Sequence, residues 1–268
     1  MIIQAIRSII FYIFFILNTA LAAIILGTLS LFKKRGWYRF GWVIAQYWGY
    51  STLFFLRYIV GIKTRILGEE NIPDGGCIIG SKHQSDWDIF AIFPKVGRPS
   101  FIAKKILLDI PFFGWAARDF DTISINRKMK SKAIPQMNRQ AKEAIKNGCK
   151  IIIFPEGTRK TPLAEADYRY GIAKMYQELD VPVVPVALNS GLFWARNALV
   201  LWPGTATARF LPPIPRGLEP DEMHAMLKET IEKHTNELIL EADKQGLSAP
   251  MSKEFREKLD LLKQDLSS

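Results

Sequence analysis

The segment Gly80-Ser-Lys-His-Gln-Ser-Asp-Trp-Asp88 sets a histidine five residues before an aspartate, between an apolar run and a helix-like stretch. In one continuous helix five residues turn about 500°, so the two side chains would diverge by about 140°. They meet only if His83 lies in the turn and Asp88 in the first turn of the helix. The carboxylate would then fix the imidazole tautomer and stabilise its cation, the orienting half of a triad. A base of this kind can take its proton from a substrate hydroxyl as well as from a serine. The other reading is a structural histidine at a strand–helix junction. Asp86 is a second partner for the ring, or a charge favoured by the helix dipole. Ser85 reads as an N-cap. The chain has no Gly-x-Ser-x-Gly elbow, which favours direct transfer over an acyl-enzyme.

A second group follows the apolar run Lys150-Ile-Ile-Ile-Phe154, in Pro155-Glu-Gly-Thr-Arg159. Gly157 admits positive φ and close approach to a ligand. Arg159 offers a planar donor fork suited to phosphate, and Arg127, after Ile123-Ser-Ile-Asn, offers another. Two arginines from neighbouring strand ends would make a phosphate clamp; each taken singly also reads as a surface residue. Glu156 could bind a substrate hydroxyl or pair with an arginine and hold the loop. Lys104 and Lys105 precede Ile106-Leu-Leu-Asp-Ile-Pro-Phe-Phe-Gly-Trp115. That stretch reads as the wall of an acyl-chain tunnel, a membrane-facing surface or a core helix.

The elements that would position these residues alternate. Strands are expected at Cys77–Gly80, Ser100–Ala103, Thr122–Ile125, Lys150–Phe154, Val181–Leu188 and Ala206–Leu211. Helices are expected at Asp86–Phe93, Ile106–Arg118, Ser131–Asn147, Tyr170–Leu179 and Pro220–Gln245. This pattern predicts an α/β fold, a layered sheet with flanking helices. Ahead of it, Ser8 to Phe32 carries no charge and is nearly all apolar, long enough to cross a ~30 Å hydrocarbon core and too long for a signal peptide. A second uncharged run, Phe40 to Leu56, is rich in the aromatic residues that prefer a membrane interface. The expected organisation is a hydrophobic two-helix membrane motif over residues 1–65, an α/β domain over 66–246 and a charged tail over 247–268.

Thirty-six basic and 26 acidic residues give the chain a net charge of +10. No acidic residue precedes Glu69, whereas Arg7, Lys33, Lys34, Arg35, Arg39, Arg57, Lys63 and Arg65 all lie before it. By the positive-inside rule these basic groups stay cytoplasmic, so either the first segment alone spans or both dip into the cytoplasmic leaflet. With most of the net charge in that segment and no recognition motif, nucleic acid is excluded as a partner. Two cysteines and three histidines provide no disulfide framework or zinc cluster.

Together these pieces resemble the PlsC-like glycerolipid acyltransferases, in particular the bacterial 1-acyl-sn-glycerol-3-phosphate acyltransferases. Four ordered motifs carry the resemblance across about residues 65–215: His83-Gln-Ser-Asp-Trp-Asp88, Ile123-Ser-Ile-Asn-Arg127, Phe154-Pro-Glu-Gly-Thr-Arg159 and Val181-Pro-Val-Val-Pro-Val186. One departure is Lys82, where many members have asparagine. The resemblance implies a glycerol-3-phosphate acyltransferase-like fold, with His83 and Asp88 catalytic. Arg127, Glu156, Gly157, Thr158 and Arg159 would bind substrate, and Lys104, Lys105 and Pro185 would lie by the acyl or donor site. It implies transfer of an acyl chain from acyl-CoA or acyl-carrier protein to the sn-2 hydroxyl of lysophosphatidate, forming phosphatidate. The enzyme would sit among the lipids of a bacterial inner membrane with its catalytic domain facing the cytoplasm. No cofactor or metal is expected, because the thioester is already activated. The alternatives are another lysolipid acceptor, such as lyso-ornithine lipid, and a membrane-bound lipid or thioester hydrolase.

Overall fold

Lys150-Ile-Ile-Ile153 and Val183-Val-Pro-Val-Ala-Leu188 are apolar at nearly every position, the pattern of strands covered on both faces. The computed structural model, which describes residues 1–32, 37–126 and 134–265, makes them the centre of a seven-stranded sheet. The strands are β1 (Ile62–Leu67), β2 (Ile78–Ser81), β3 (Pro99–Lys104), β4 (Ile123–Ile125), β5 (Lys150–Ile153), β6 (Val183–Leu188) and β7 (Gly204–Phe210). Their spatial order is β1-β7-β6-β2-β5-β3-β4. β6, β2, β5, β3 and β4 run parallel; β7 is antiparallel to β6, and β1 lies parallel to β7.

Side chains alternate across this sheet. Ile79, Ile152 and Val184 face one core with Trp87 and Phe90, while Ile78, Ile151 and Val183 face another with Ile172 and Leu227. The first face is covered by α1 (Ile2–Phe32), α2 (Trp37–Phe55) and α3 (Trp87–Ile92). The second is covered by α6 (Ile134–Lys146), α7 (Gly171–Leu179) and α8 (Pro220–Lys244). Two short helices, α4 (Lys105–Leu108) and α5 (Phe113–Asp119), join β3 to β4, and α9 (Lys253–Asp265) closes the described chain. The α/β layered sheet expected from the sequence is the fold.

Two expectations need correction. Ile106–Arg118 is not one helix: it breaks between α4 and α5 around Pro111, which disfavours helical backbone before it, and Phe112 takes φ +60°. The basic Lys63 and Arg65, taken as the flank of the membrane segment, belong instead to β1. That strand runs across the expected boundary at residue 65, with Ile62 to Leu67 in register with Gly204 to Arg209 of β7.

α1 is the one helix among the described residues that is long and apolar enough to cross a membrane. Its amphipathicity is inverted. Ile6, Ile9, Ile13, Ile16 and Leu17 are exposed, while Gln4, Ser8, Asn18 and Ser30 are buried. Gln4 Nε2 donates to the carbonyls of Val60 at 3.1 Å and Leu201 at 2.7 Å, and Ser8 Oγ accepts the Leu201 N–H at 2.9 Å. Asn18 and Thr19 bond to Ser51 and Trp48 of α2, each at 3.0 Å. Near the far end, a Cβ on Gly27 would lie 2.4 Å from Phe112 Cα, so only glycine lets α1 meet the start of α5. The helix is thus fastened to the domain along its length.

Candidate active site

β2 and β5 are adjacent and parallel, with Gly80 opposite Ile153, so the chain leaves both strands at the same carboxyl edge of the sheet. After β2 it turns through His83, and Asp88 lies in the first turn of α3. His83 Nδ1 is 2.9 Å from Asp88 Oδ2. The same oxygen accepts the main-chain N–H groups of Gln84 at 2.8 Å and Ser85 at 3.0 Å, and Oδ1 accepts the Ser190 hydroxyl. An ionised carboxylate only accepts, so Nδ1 carries the proton and Nε2 keeps its lone pair for a substrate. Asp88 is fully buried, whereas the imidazole is 16% exposed, enough to meet a substrate atom. The ring lies against Phe154, with centroids 4.0 Å apart and planes 20° from parallel. The N-cap of α3 is Asp86, not Ser85 as expected; Ser85 lies one residue earlier, and its Oγ accepts the Trp87 N–H at 3.1 Å.

The Phe154–Lys160 loop leaves β5 and grips His83 by its main chain from both sides. Glu156 Oε2 accepts the His83 N–H at 2.9 Å, and Lys160 N–H donates to the His83 carbonyl at 2.8 Å. Glu156 is buried, and its Oε1 lies 2.9 Å from Lys82 Nζ, an ion pair rather than an aligned hydrogen bond. Burial pushes its carboxyl above the ordinary value, the Lys82 ammonium and the His83 N–H pull it back, and Glu232 adds to the rise. Gly157 has φ +66°, and a Cβ there would approach Arg169 Nε to 2.8 Å, so the turn requires glycine. Thr158 is half-buried in the same turn.

Arg159 pairs with Asp86 Oδ2 through Nη1 at 2.5 Å. The aspartate considered as a second partner for the histidine therefore serves the arginine. Arg127 lies outside the described residues. Lys104 and Lys105 are exposed where β3 passes into α4, on the same edge of the sheet as His83. Pro185 is buried inside the sheet, in register with Gly80, and its missing N–H falls on the β7 side just past the last ladder pair, Val186 with Phe210. The structure thus joins His83, Asp88, Glu156 and Arg159 through two adjacent loops, and keeps Pro185 in the core.

Two contributors, Ser190 and Glu232, lie outside the motifs, and two others, Phe154 and Lys82, gave no sign of what they touch. Ser190 lies 102 residues from Asp88 in sequence, and nothing local links them. Phe154 ends a strand and opens a motif, but neither reading sets it against the His83 ring. Lys82 stood out as a departure from the usual asparagine, but its partner on α8, Glu232, did not.

Comparisons with known proteins bear on the family and the fold. A family model described as acyltransferase matches residues 63–189. A 1-acyl-sn-glycerol-3-phosphate acyltransferase of Pseudomonas aeruginosa is 35% identical over 208 residues, 76% of this chain and 78% of that protein. The human 1-acyl-sn-glycerol-3-phosphate acyltransferase alpha is 29% identical over 178 residues, 65% of this chain and 63% of that protein. The crystal structure of the 1-acyl-sn-glycerophosphate (LPA) acyltransferase PlsC from Thermotoga maritima aligns with a TM-score of 0.72 over 93% of this chain and 100% of that one. At 23% identity that likeness speaks for the fold. On the family match and the Pseudomonas relative together, this chain is an enzyme of the acyltransferase family.

Proposed function

We propose that this acyltransferase moves an acyl chain from a thioester, acyl-CoA or acyl-carrier protein, to the sn-2 hydroxyl of lysophosphatidate, forming phosphatidate. The observation that carries the reading is the 2.9 Å contact of His83 Nδ1 with Asp88, in a chain 35% identical to an enzyme named for that acceptor. Nε2 of His83 takes the hydroxyl proton as the oxygen attacks the thioester carbonyl. Collapse of the tetrahedral intermediate breaks the C–S bond, and the imidazolium returns the proton to the leaving thiolate. Asp88 holds the ring in the tautomer this requires.

Arg159, with Arg127, receives the phosphomonoester, and Arg159 exchanges Asp86 for it on binding. Glu156, Gly157 and Thr158 shape the loop that presents this arginine. Lys104 and Lys105 stand where the phosphates of acyl-CoA or the acidic face of a carrier protein would approach. The outward apolar face of α1 supports a seat in the lipid. Its fastening at both ends favours one leaflet over a full crossing, and the basic residues up to Arg57 favour the cytoplasmic face of a bacterial inner membrane.

An acyl-transfer assay with chain-matched lysophosphatidate and lyso-ornithine lipid, each with both donors, tests the acceptor. Lysophosphatidate is expected to be the better acceptor. Arg159→Ala is expected to raise its KM about 10- to 100-fold, the loss of a charge-assisted pair, with a smaller change in kcat. Equal use of the two acceptors with no effect of Arg159→Ala would defeat the phosphate reading. Release of free fatty acid without any acceptor would point to a hydrolase.

A further inference from the structure

Beneath the active-site loop a lysine sits where no substrate can reach it. The Lys82 side chain is 2% exposed, and its Nζ lies 2.7 Å from Glu232 Oε1 on α8 and 2.9 Å from Glu156 Oε1. Tyr168 Oη donates to the same Glu232 oxygen at 2.8 Å, and the ammonium stands 5.8 Å from the centre of the Tyr168 ring. Burial and the two glutamates push the Tyr168 hydroxyl far up, so it remains a donor. The other oxygen of Glu156 accepts the His83 N–H. A continuous path of polar contacts therefore runs from α8 to the main chain of the histidine.

Acyl transfer has no use for Lys82 as acid, base or phosphate ligand, since two carboxylates already occupy its ammonium. Its effect falls on Glu156. The groups facing that carboxylate are Lys82 from the end of β2, Glu232 from α8, Tyr168 from the segment before α7 and the main-chain N–H of His83. Lys82 is the only cation among these. Without it Glu156 would face burial and a neighbouring carboxylate together, and would take up a proton. A neutral carboxyl is the weaker acceptor for the His83 N–H.

We propose that Lys82, seated by Glu232, is a positioning residue of the transfer reaction: it keeps Glu156 as the carboxylate that fixes the main chain of His83, and so sets the imidazole in place. The inference rests on His83 being the base.

The test uses the full chain in detergent or membranes, with kcat, KM and melting temperature followed from about pH 5 to 8. Lys82→Met is expected to lower kcat at neutral pH by about 10-fold or more, while KM for the lysolipid stays within about 3-fold. The acid limb of kcat should move to higher pH, and Lys82→Arg should restore it. The sign for stability follows from a raised carboxyl: its contribution is full at low pH and declines as pH rises through the folded value. Removing the cation raises that value further, so the melting-temperature deficit of Lys82→Met should grow with pH.

If Lys82→Met does not fold, two other variants decide. Glu156→Gln keeps the shape and removes the charge, and should lower kcat to a similar degree with KM unchanged. Lys82→Met/Glu156→Gln leaves no unpaired charge between those two positions and should match Glu156→Gln within about 3-fold. Wild-type kcat in Glu156→Gln, a further multiplicative loss in the double variant, or an unmoved acid limb in a folded Lys82→Met would each overturn the inference. His83→Ala separates the two levels. If it stays active, the catalytic reading itself fails; if it is dead while the Lys82 and Glu156 variants are normal, only this inference falls.

Discussion

His83→Ala should lower kcat/KM for acyl transfer by about 10²- to 10⁴-fold, the range that a positioned general base supplies. The argument is geometric. Asp88 occupies Nδ1 at 2.9 Å, and Phe154 covers one face of the ring. Nε2 is the remaining polar atom, on a side chain that solvent can reach. The fold should tolerate the change, because the loops hold His83 by its N–H and carbonyl, which alanine keeps. Removal of the ring forfeits one stacked contact and one of the three hydrogen bonds to Asp88 Oδ2, each on the order of 1 kcal/mol. Circular dichroism melts run beside the kinetics separate the two effects. A variant that melts several degrees lower, yet keeps more than about a tenth of wild-type activity, would rule out His83 as the base.

Asp88→Asn should cost about 10²- to 10⁴-fold in kcat with little loss of stability. Oδ2 faces three donors, from Gln84, Ser85 and His83, and an amide nitrogen there would oppose all three. Oδ1 faces only the Ser190 hydroxyl, which can turn and accept. The asparagine therefore settles with its oxygen toward the histidine and its nitrogen toward Ser190. Shape and hydrogen bonds survive, and the negative charge that stabilises the imidazolium is gone. Asp88→Ala differs in kind, since it strands buried main-chain donors and should destabilise the protein by about 3–5 kcal/mol. Urea titration of the two variants checks the contrast. Equal destabilisation would show that the carboxylate matters to the fold more than to the chemistry.

Much of this was legible in the residues because the local rules agreed with the global fold. Val183–Leu188 and Lys150–Ile153 are apolar on both faces and became central strands. The five-residue interval from His83 to Asp88 demanded a turn followed by a helix, and that is how the two side chains meet. β1 was obscured because Ile62-Lys-Thr-Arg-Ile-Leu67 places cations next to an apolar segment, where they read as membrane flanks. Its pairing with β7 lies about 140 residues away, as the Arg65–Thr207 contact shows, and no local signal spans that distance. The break at Pro111 was available in the sequence, but the apolar spacing around it outweighed the proline. The donor fork of Arg159 is evident from its residue type, whereas its resting partner Asp86 is a tertiary fact.

The inward polar residues of α1 bear on how this enzyme can be handled. A shortened protein beginning after the first helix would shed a greasy surface and look easier to purify. It would also lose Gln4 and Ser8, which satisfy the carbonyls of Val60 and Leu201 and the Leu201 N–H, and Phe11, which fills the same core as Trp87 beside the His83 turn. Such a truncation would open a wound in the domain it was meant to liberate. Preparations of this enzyme should keep the helix and carry detergent or lipid with it, since its apolar outer face and the inner face that completes the domain belong to one piece.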